Sequence, residues 1–298
     1  MPASLLMLTA TLLFAAMGLF VKLASAHYSA AQIVTVRGLI GVLALLALAR
    51  WRGIPLRTSV PWMHAWRGIV GVTALCLWFW AIGGLPLATA ITLNQMSSVW
   101  MALFLLGGAV LLGQQRLDPR LIAAVLVGFV GVALVLQPTF ERDQLPWGLA
   151  GLGSGLLAAL AYLQVAALGR AGEPEVRVVF YLSLTSVLAG ALLSFWLPAV
   201  VAPPQSPWGP LWLLAVGLSA TVAQVMMTAA YAKGRLLVNA TLNYAGIVFA
   251  ALLGWWVFDE ALGWIAVSGI ALIISAGLSA TLLRSRQAPS LPTDTAHE

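Results

Sequence analysis

Apolar residues come along this chain in runs of about twenty, parted by short stretches rich in Arg, Pro, Gly and polar side chains. A helix crossing a hydrocarbon core of about 30 Å needs about 20 mainly apolar residues. Ten runs meet that requirement, approximately over 3–24, 30–50, 66–84, 87–112, 119–137, 147–169, 176–197, 208–231, 236–258 and 262–283. The pattern predicts an all-α membrane protein with ten transmembrane helices. Its short connections favour a compact bundle of antiparallel neighbours. The opening run is too long for a signal-peptide core and has no charged segment before it, so it is expected to be the first span.

Composition agrees and excludes other classes. Of the 298 residues, 61% are apolar and 8% charged, against about 45–50% and about 25% in soluble domains. A water-soluble surface cannot be covered with so little charge. The net charge of +6 is too thinly spread for a nucleic-acid partner; the lipid bilayer is the expected one. The positions of the cations carry more information than their sum. With the N-terminus in the cytoplasm, twelve of the fifteen Lys and Arg fall on the cytoplasmic side: Arg50, Arg52, Arg57, Arg67, Arg116, Arg120, Arg170, Arg177, Lys233, Arg235, Arg284 and Arg286. Lys22 and Arg142 fall opposite, and Arg37 inside span 2. This asymmetry predicts cytoplasmic termini in an inner-membrane protein. Ten of the thirteen Trp lie near span ends, as an aromatic belt requires, whereas Trp78, Trp80 and Trp100 lie inside spans 3 and 4.

The chain also repeats itself. Thr92-Leu93-Asn94 in span 4 recurs 149 residues later as Thr241-Leu242-Asn243 in span 9, and Leu-Phe-Ala-Ala-Met-Gly from Leu13 resembles Leu-Leu-Ala-Ala-Leu-Ala from Leu156. Ten spans then divide into two five-helix repeats, 1–140 and 145–285, followed by a disordered cytoplasmic tail over 286–298. Five is odd, so the second repeat enters the membrane from the opposite side. Inverted repeats of this kind build secondary transporters with a midplane site between the halves.

Further motifs are Arg37-Gly38 in span 2, Arg67-Gly68 opening span 3, Gly84-Leu85-Pro86-Leu87-Ala88-Thr89-Ala90 between spans 3 and 4, Gly128-Phe129-Val130-Gly131-Val132 in span 5, and Ala250-Ala251-Leu252-Leu253-Gly254 leading to Asp259-Glu260. In order and spacing these resemble the EamA-type ten-span exporters of the drug/metabolite transporter superfamily over essentially the full length. The resemblance implies alternating-access export of small organic solutes, foremost aromatic or other neutral amino acids and related metabolites. A nucleoside-like metabolite such as S-adenosylmethionine, or a drug-like compound, is the alternative. The chain departs from the family where a Pro usually interrupts spans 4 and 9, having Met96-Ser97-Ser98 and Ala245-Gly246-Ile247 there, and Gly113-Gln114 replaces the usual Gly-Glu after span 4.

Polar side chains inside spans are costly unless they face the bundle interior or water. Span 4 crowds Asn94, Gln95, Ser97, Ser98 and Trp100 within two turns, with Asn94, Ser97 and Ser98 spaced to share a face. Spans 3, 6, 8 and 9 add Trp78, Tyr162 with Gln164, Gln224, and Asn243 with Tyr244. Amides recognise both ends of an amino acid and Trp or Tyr lines an apolar slot, so Trp78, Asn94, Gln95, Ser98, Trp100, Tyr162, Gln164, Gln224, Asn243 and Tyr244 are the candidate substrate-binding residues. The competing reading makes them hydrogen-bonding glue between helices. Arg37 divides likewise between a carboxylate anchor and a helix-carbonyl cap near the outer surface, the cap being favoured. His27 and His64 are expected in loops, and the nine carboxylates in loops, at span ends or in the tail.

Ion coupling commonly uses an intramembrane acid, so facilitated diffusion or exchange is expected. Cys76 is alone and no metal-ligand spacing or Walker motif is present. No metal, cofactor or catalytic residue is therefore expected, and the partner is a small-molecule substrate carried by a monomer or weak dimer. A membrane enzyme on lipid-linked substrates and a permease subunit of a larger importer are the remote alternatives.

Overall fold

The structure, a computed structural model, describes residues 2–111, 144–196, 207–234, 242–260 and 262–287, with isolated positions between 123 and 134 and Asn239. The expected span over 119–137 lies largely outside the described residues, as do Gln114, Arg116, Arg120, Arg142, Arg235 and the expected tail from 288 onward. Ten helices are described: α1 Ala3–Ser25, α2 Ala30–Arg52, α3 Pro61–Gly84, α4 Leu87–Gln95, α5 Ser97–Leu111, α6 Leu145–Arg170, α7 Glu175–Trp196, α8 Gly209–Lys233, α9 Ala245–Phe258 and α10 Trp264–Gln287. No strand occurs among the described residues. Six helices, α1, α2, α3, α6, α7 and α8, are long and apolar enough to cross a bilayer, and α9 and part of α10 are shorter apolar helices.

Local signals set several ends. Ser29 and Gln32 close a capping box at the start of α2, and Gly53 ends it in the left-handed conformation, φ 63°. Pro61 sits at the first position of α3, where its missing N–H costs nothing. That start corrects the expectation of a helix beginning near 66. His64 and Arg67 belong to the helix and are buried, 2% and 3% exposed, not in a cytoplasmic loop. Arg67 therefore leaves the surface-charge count.

Helix pairing is close. α2 packs along α7, α1 along α8 and α3 along α6. On the α2–α7 seam a Cβ at Gly38 would lie 2.8 Å from the Ser183 carbonyl and the Val187 nitrogen, and one at Gly190 would lie 2.9 Å from the Thr35 nitrogen. Only glycine permits that backbone approach, which replaces hydrophobic driving force where lipid is the solvent. The core between the helices holds Met17, Ile33, Phe79, Ile82, Leu87, Leu93 and Met96. Trp51, Trp62, Trp66, Trp208, Trp255, Trp256 and Trp264 are exposed, as a belt requires, and so is Trp80. Trp212 instead stacks on Phe20 and Trp147 edges onto Trp80.

Candidate functional site

Two helix interruptions meet at the centre of the bundle. The run over 87–111 breaks at Met96, whose N–H bonds the Leu93 carbonyl at 3.3 Å, three residues back. In the second half, α9 begins at Ala245 after a turn in which the Gly246 N–H bonds the Asn243 carbonyl and the Ile247 N–H the Tyr244 carbonyl. Such three-residue bonding inside a span leaves carbonyls to be satisfied elsewhere. Gln95 adds a second bond to one of the turn's carbonyls from across the molecule: its Nε2 donates to the Asn243 carbonyl at 2.9 Å, and Asn243 Nδ2 donates back to Gln95 Oε1 at 2.7 Å. Asn94 Nδ2 donates to Ser154 Oγ on α6 at 2.9 Å. Gly155 makes room beside the break, since a Cβ there would meet the Leu93 carbonyl at 2.7 Å.

Beside these amides lies a cavity of about 50 Å³. Its wall includes Trp78, Asn94, Gln95, Tyr162, Gln224 and Asn243, together with Thr11 and Phe14 of α1 and Arg67 and Gly71 of α3. Six of the ten residues expected to bind substrate thus share one wall. Ser98, Trp100, Gln164 and Tyr244 lie off it; Trp100 packs against Met101 and Ala159. A space of this size holds a water or two, whereas ligand sites span about 300–1,000 Å³. The cavity as described is smaller than such a site.

Arg67 is the wall residue that sequence reading missed. Its Nε and Nη1 are buried without a partner, and its guanidinium lies along α3 over Gly71, where a Cβ would overlap Nη1. Trp78 Nε1 and Gln224 Oε1 are also buried and unpartnered on this wall. Tyr162 lies within electrostatic reach of Arg67 and shares the wall with Asn243. Arg37 is buried behind the wall, with Nη1 3.5 Å from Ser186 Oγ and Nε unpartnered, so it is no surface cap. The wall includes no carboxylate.

This is a polar pocket at the meeting point of broken membrane helices, a construction found in transporters, and comparison with known proteins agrees. The profile of the EamA-like transporter family matches twice, over residues 1–137 and 145–281. The chain belongs to the EamA-like transporter family. It is 32% identical over 273 residues to the pseudopaline exporter CntI of Pseudomonas aeruginosa strain UCBPP-PA14, covering 91% of this chain and 93% of that protein. It is 31% identical over 224 residues to a riboflavin transporter of Rhizobium johnstonii, covering 75% of this chain and 71% of the relative. A crystal structure 23% identical has the same fold, with TM-score 0.66 over 95% of this chain and 98% of that one. With its long apolar helices, this EamA family member is a multi-pass transporter of the inner membrane.

Polar clusters stand at both ends of the EamA bundle. At the end where α1 finishes, Lys22 Nζ donates to the Leu85 carbonyl at 3.0 Å, pairs with Glu260 and lies 5.0 Å from the Phe258 ring centroid. Glu260 Oε2 also accepts the Leu87 N–H at 2.7 Å, a carboxylate on the first turn of α4. Asp259, at φ 51°, turns the chain back so that Glu260 reaches that position. At the other end Glu173, between α6 and α7, accepts from Thr58 at 2.8 Å and Arg177 at 3.0 Å and pairs with His64 at 3.0 Å. Burial opposes ionisation of Glu173, but those hydrogen bonds prevail and hold its carboxyl below the ordinary range. Arg177 also donates to the Pro55 carbonyl at 2.6 and 2.9 Å, tying down the segment before α3.

Proposed function

We propose that this transporter exports amino acids, aromatic or other neutral ones, and related metabolites across the inner membrane by alternating access. Its moving parts are two inverted five-helix repeats over 1–140 and 145–285, ten spans in all, with both termini cytoplasmic. The observation that carries the reading is the central cavity, where the Gln95 and Asn243 amides join the two helix interruptions beside unpartnered donors and acceptors. Two-fold repetition is supported by the pairing of helices. Matching spans 1–3 to 6–8 exchanges the α1–α8 contact for α6–α3 and leaves α2–α7 unchanged, as a two-fold axis relating the halves requires. The clusters at Lys22–Glu260 and Glu173–His64 lie at opposite ends, and each joins one half to the other. Opening either one while the other holds exposes the cavity to one side at a time.

Transport is facilitative or by exchange, because the wall offers no acid to carry a proton or sodium ion. The riboflavin transporter relative favours a second reading, a larger ring-bearing metabolite, which requires the cavity to widen further. A reconstituted flux assay decides between them. Proteoliposomes are tested with labelled neutral amino acids against a panel that includes S-adenosylmethionine and riboflavin. Saturable amino-acid flux without an imposed ion gradient, reduced about tenfold or more by Trp78→Ala and Asn243→Ala, is expected. Flux that needs a proton or sodium gradient, or that only the larger metabolites show, overturns this reading.

A further inference from the structure

We propose that Arg67 anchors the carboxylate of the transported solute, so that the site selects by the anion and tolerates loss of the ammonium group. The proposal rests on the cavity being the transport site, as argued above, and adds the chemistry by which it chooses.

An arginine side chain carries five N–H donors and a charge it does not give up. Arg67 is 3% exposed in a chain whose solvent is lipid, yet two of its donor atoms have no partner and no carboxylate lies on the cavity wall. Two described carboxylates that form ion pairs, Glu173 and Glu260, are committed at the two ends of the bundle. Arg37 adds to the local positive field, since it too is buried, its one polar contact is with Ser186, and it lies within electrostatic reach of Arg67. A buried cation without a counter-charge is expensive. An anion entering the cavity removes that cost and supplies charge-assisted hydrogen bonds to a guanidinium already aimed at it.

The position is built for the purpose. A side chain at residue 71 would occupy the place of the Arg67 guanidinium, and Gly71 leaves it free beside the wall. Because the guanidinium lies over Gly71, Trp78 is seven residues beyond it along α3, about 10 Å at 1.5 Å per residue. A solute with a carboxylate at one end and an apolar or ring-bearing body fits that axis. An ammonium group finds only neutral acceptors such as Gln224 Oε1, so its contribution is the smaller of the two.

Binding to the detergent-purified full-length protein, measured by titration calorimetry, tests this with four probes of one shape. L-Phenylalanine has both charges, 3-phenylpropionate lacks the amine, and phenylalaninamide and phenethylamine lack the carboxylate. The two acids are expected to bind alike, and the amide and amine roughly 10- to 100-fold more weakly, the loss of a charged hydrogen-bonded pair. Arg67→Gln is expected to bring the acids down to the amide and leave the amide unchanged, with Arg67→Lys between. A purely structural role for Arg67 would weaken all four probes together. Should Arg67→Gln not fold, Arg67→Lys with the wild-type series carries the same comparison. The proposal is overturned if the amide binds as well as the acids, if neither acid binds, or if substitution at Arg67 spares the acids or weakens every probe equally. Acid binding through Arg67 without amino-acid flux in liposomes would sink the export reading alone. Amino-acid flux undiminished in Arg67→Gln would sink the anchor alone.

Discussion

Arg37 and Arg67 each precede a glycine, and in both pairs the glycine meets α7 while the arginine turns inward. The pairing is visible in the sequence, but the burial of Arg67 is not, because residues 61–66 contain Trp and His that read equally well as an interfacial loop. Asn94, Gln95, Gln224 and Asn243 were legible because an amide in an apolar run needs a partner in the bundle. Ser98 lies beyond the break at Met96 and is absent from the wall, because the helical spacing that would group it with Asn94 holds only within one continuous helix. Gly71 yields a prediction at this scale. In Gly71→Ala the new methyl overlaps the far end of a flexible side chain and displaces the Arg67 guanidinium without moving backbone. Thermal stability in detergent should stay within about 1 kcal/mol of wild type, while carboxylate affinity falls about tenfold by titration. Unchanged affinity would show that the position of the guanidinium does not matter.

Helix–helix contact in lipid depends on how closely backbones approach, and the α2–α7 seam is the test. Gly38 faces backbone atoms at 2.8 Å, whereas a Cβ at Gly153 on α6 meets only the Leu77 side chain at 3.7 Å. Gly38→Ala should therefore destabilise the protein by about 1–3 kcal/mol, as overpacking does, and Gly153→Ala should be neutral or slightly stabilising through its helix propensity. Thermal unfolding of the two variants side by side checks this; equal melting temperatures would mean the seam adjusts freely. The same scale explains the interruptions. Neither contains the proline usual in the family, yet the helices still break at Met96 and before Ala245, where Gln95 donates to the Asn243 carbonyl and Gly155 leaves room beside the Leu93 carbonyl. The breaks are held by contacts from other helices and not by a proline.

At the scale of the whole molecule, a small cavity lies between two ion-paired clusters, with Arg67 on its wall, Arg37 buried nearby and no carboxylate among the described residues of the wall. Reorienting that interior while empty moves uncompensated charge through a low-dielectric medium, whereas a bound anion cancels part of it. Exchange should accordingly outrun net efflux. Labelled solute preloaded into proteoliposomes should leave about tenfold faster when unlabelled solute is present outside, and equal rates into solute-free buffer would refute the charge argument.

The sequence alone determined the solvent and the class of fold. Lipid demands runs of about twenty apolar residues with charges kept to their ends, and that demand is local enough to read along one chain. It also exposed the amides worth suspecting and the family resemblance that the comparisons bear out. Tertiary structure decided which of those amides meet, because Gln95 and Asn243 are 148 residues apart and only packing brings them within 2.7 Å. Packing likewise turned Arg67 from one cation in an orientation count into the unpaired charge on the cavity wall. Whether a charge at the end of a span faces water or the interior depends on where its helix starts and what lies across from it, and neither is written in its own neighbourhood.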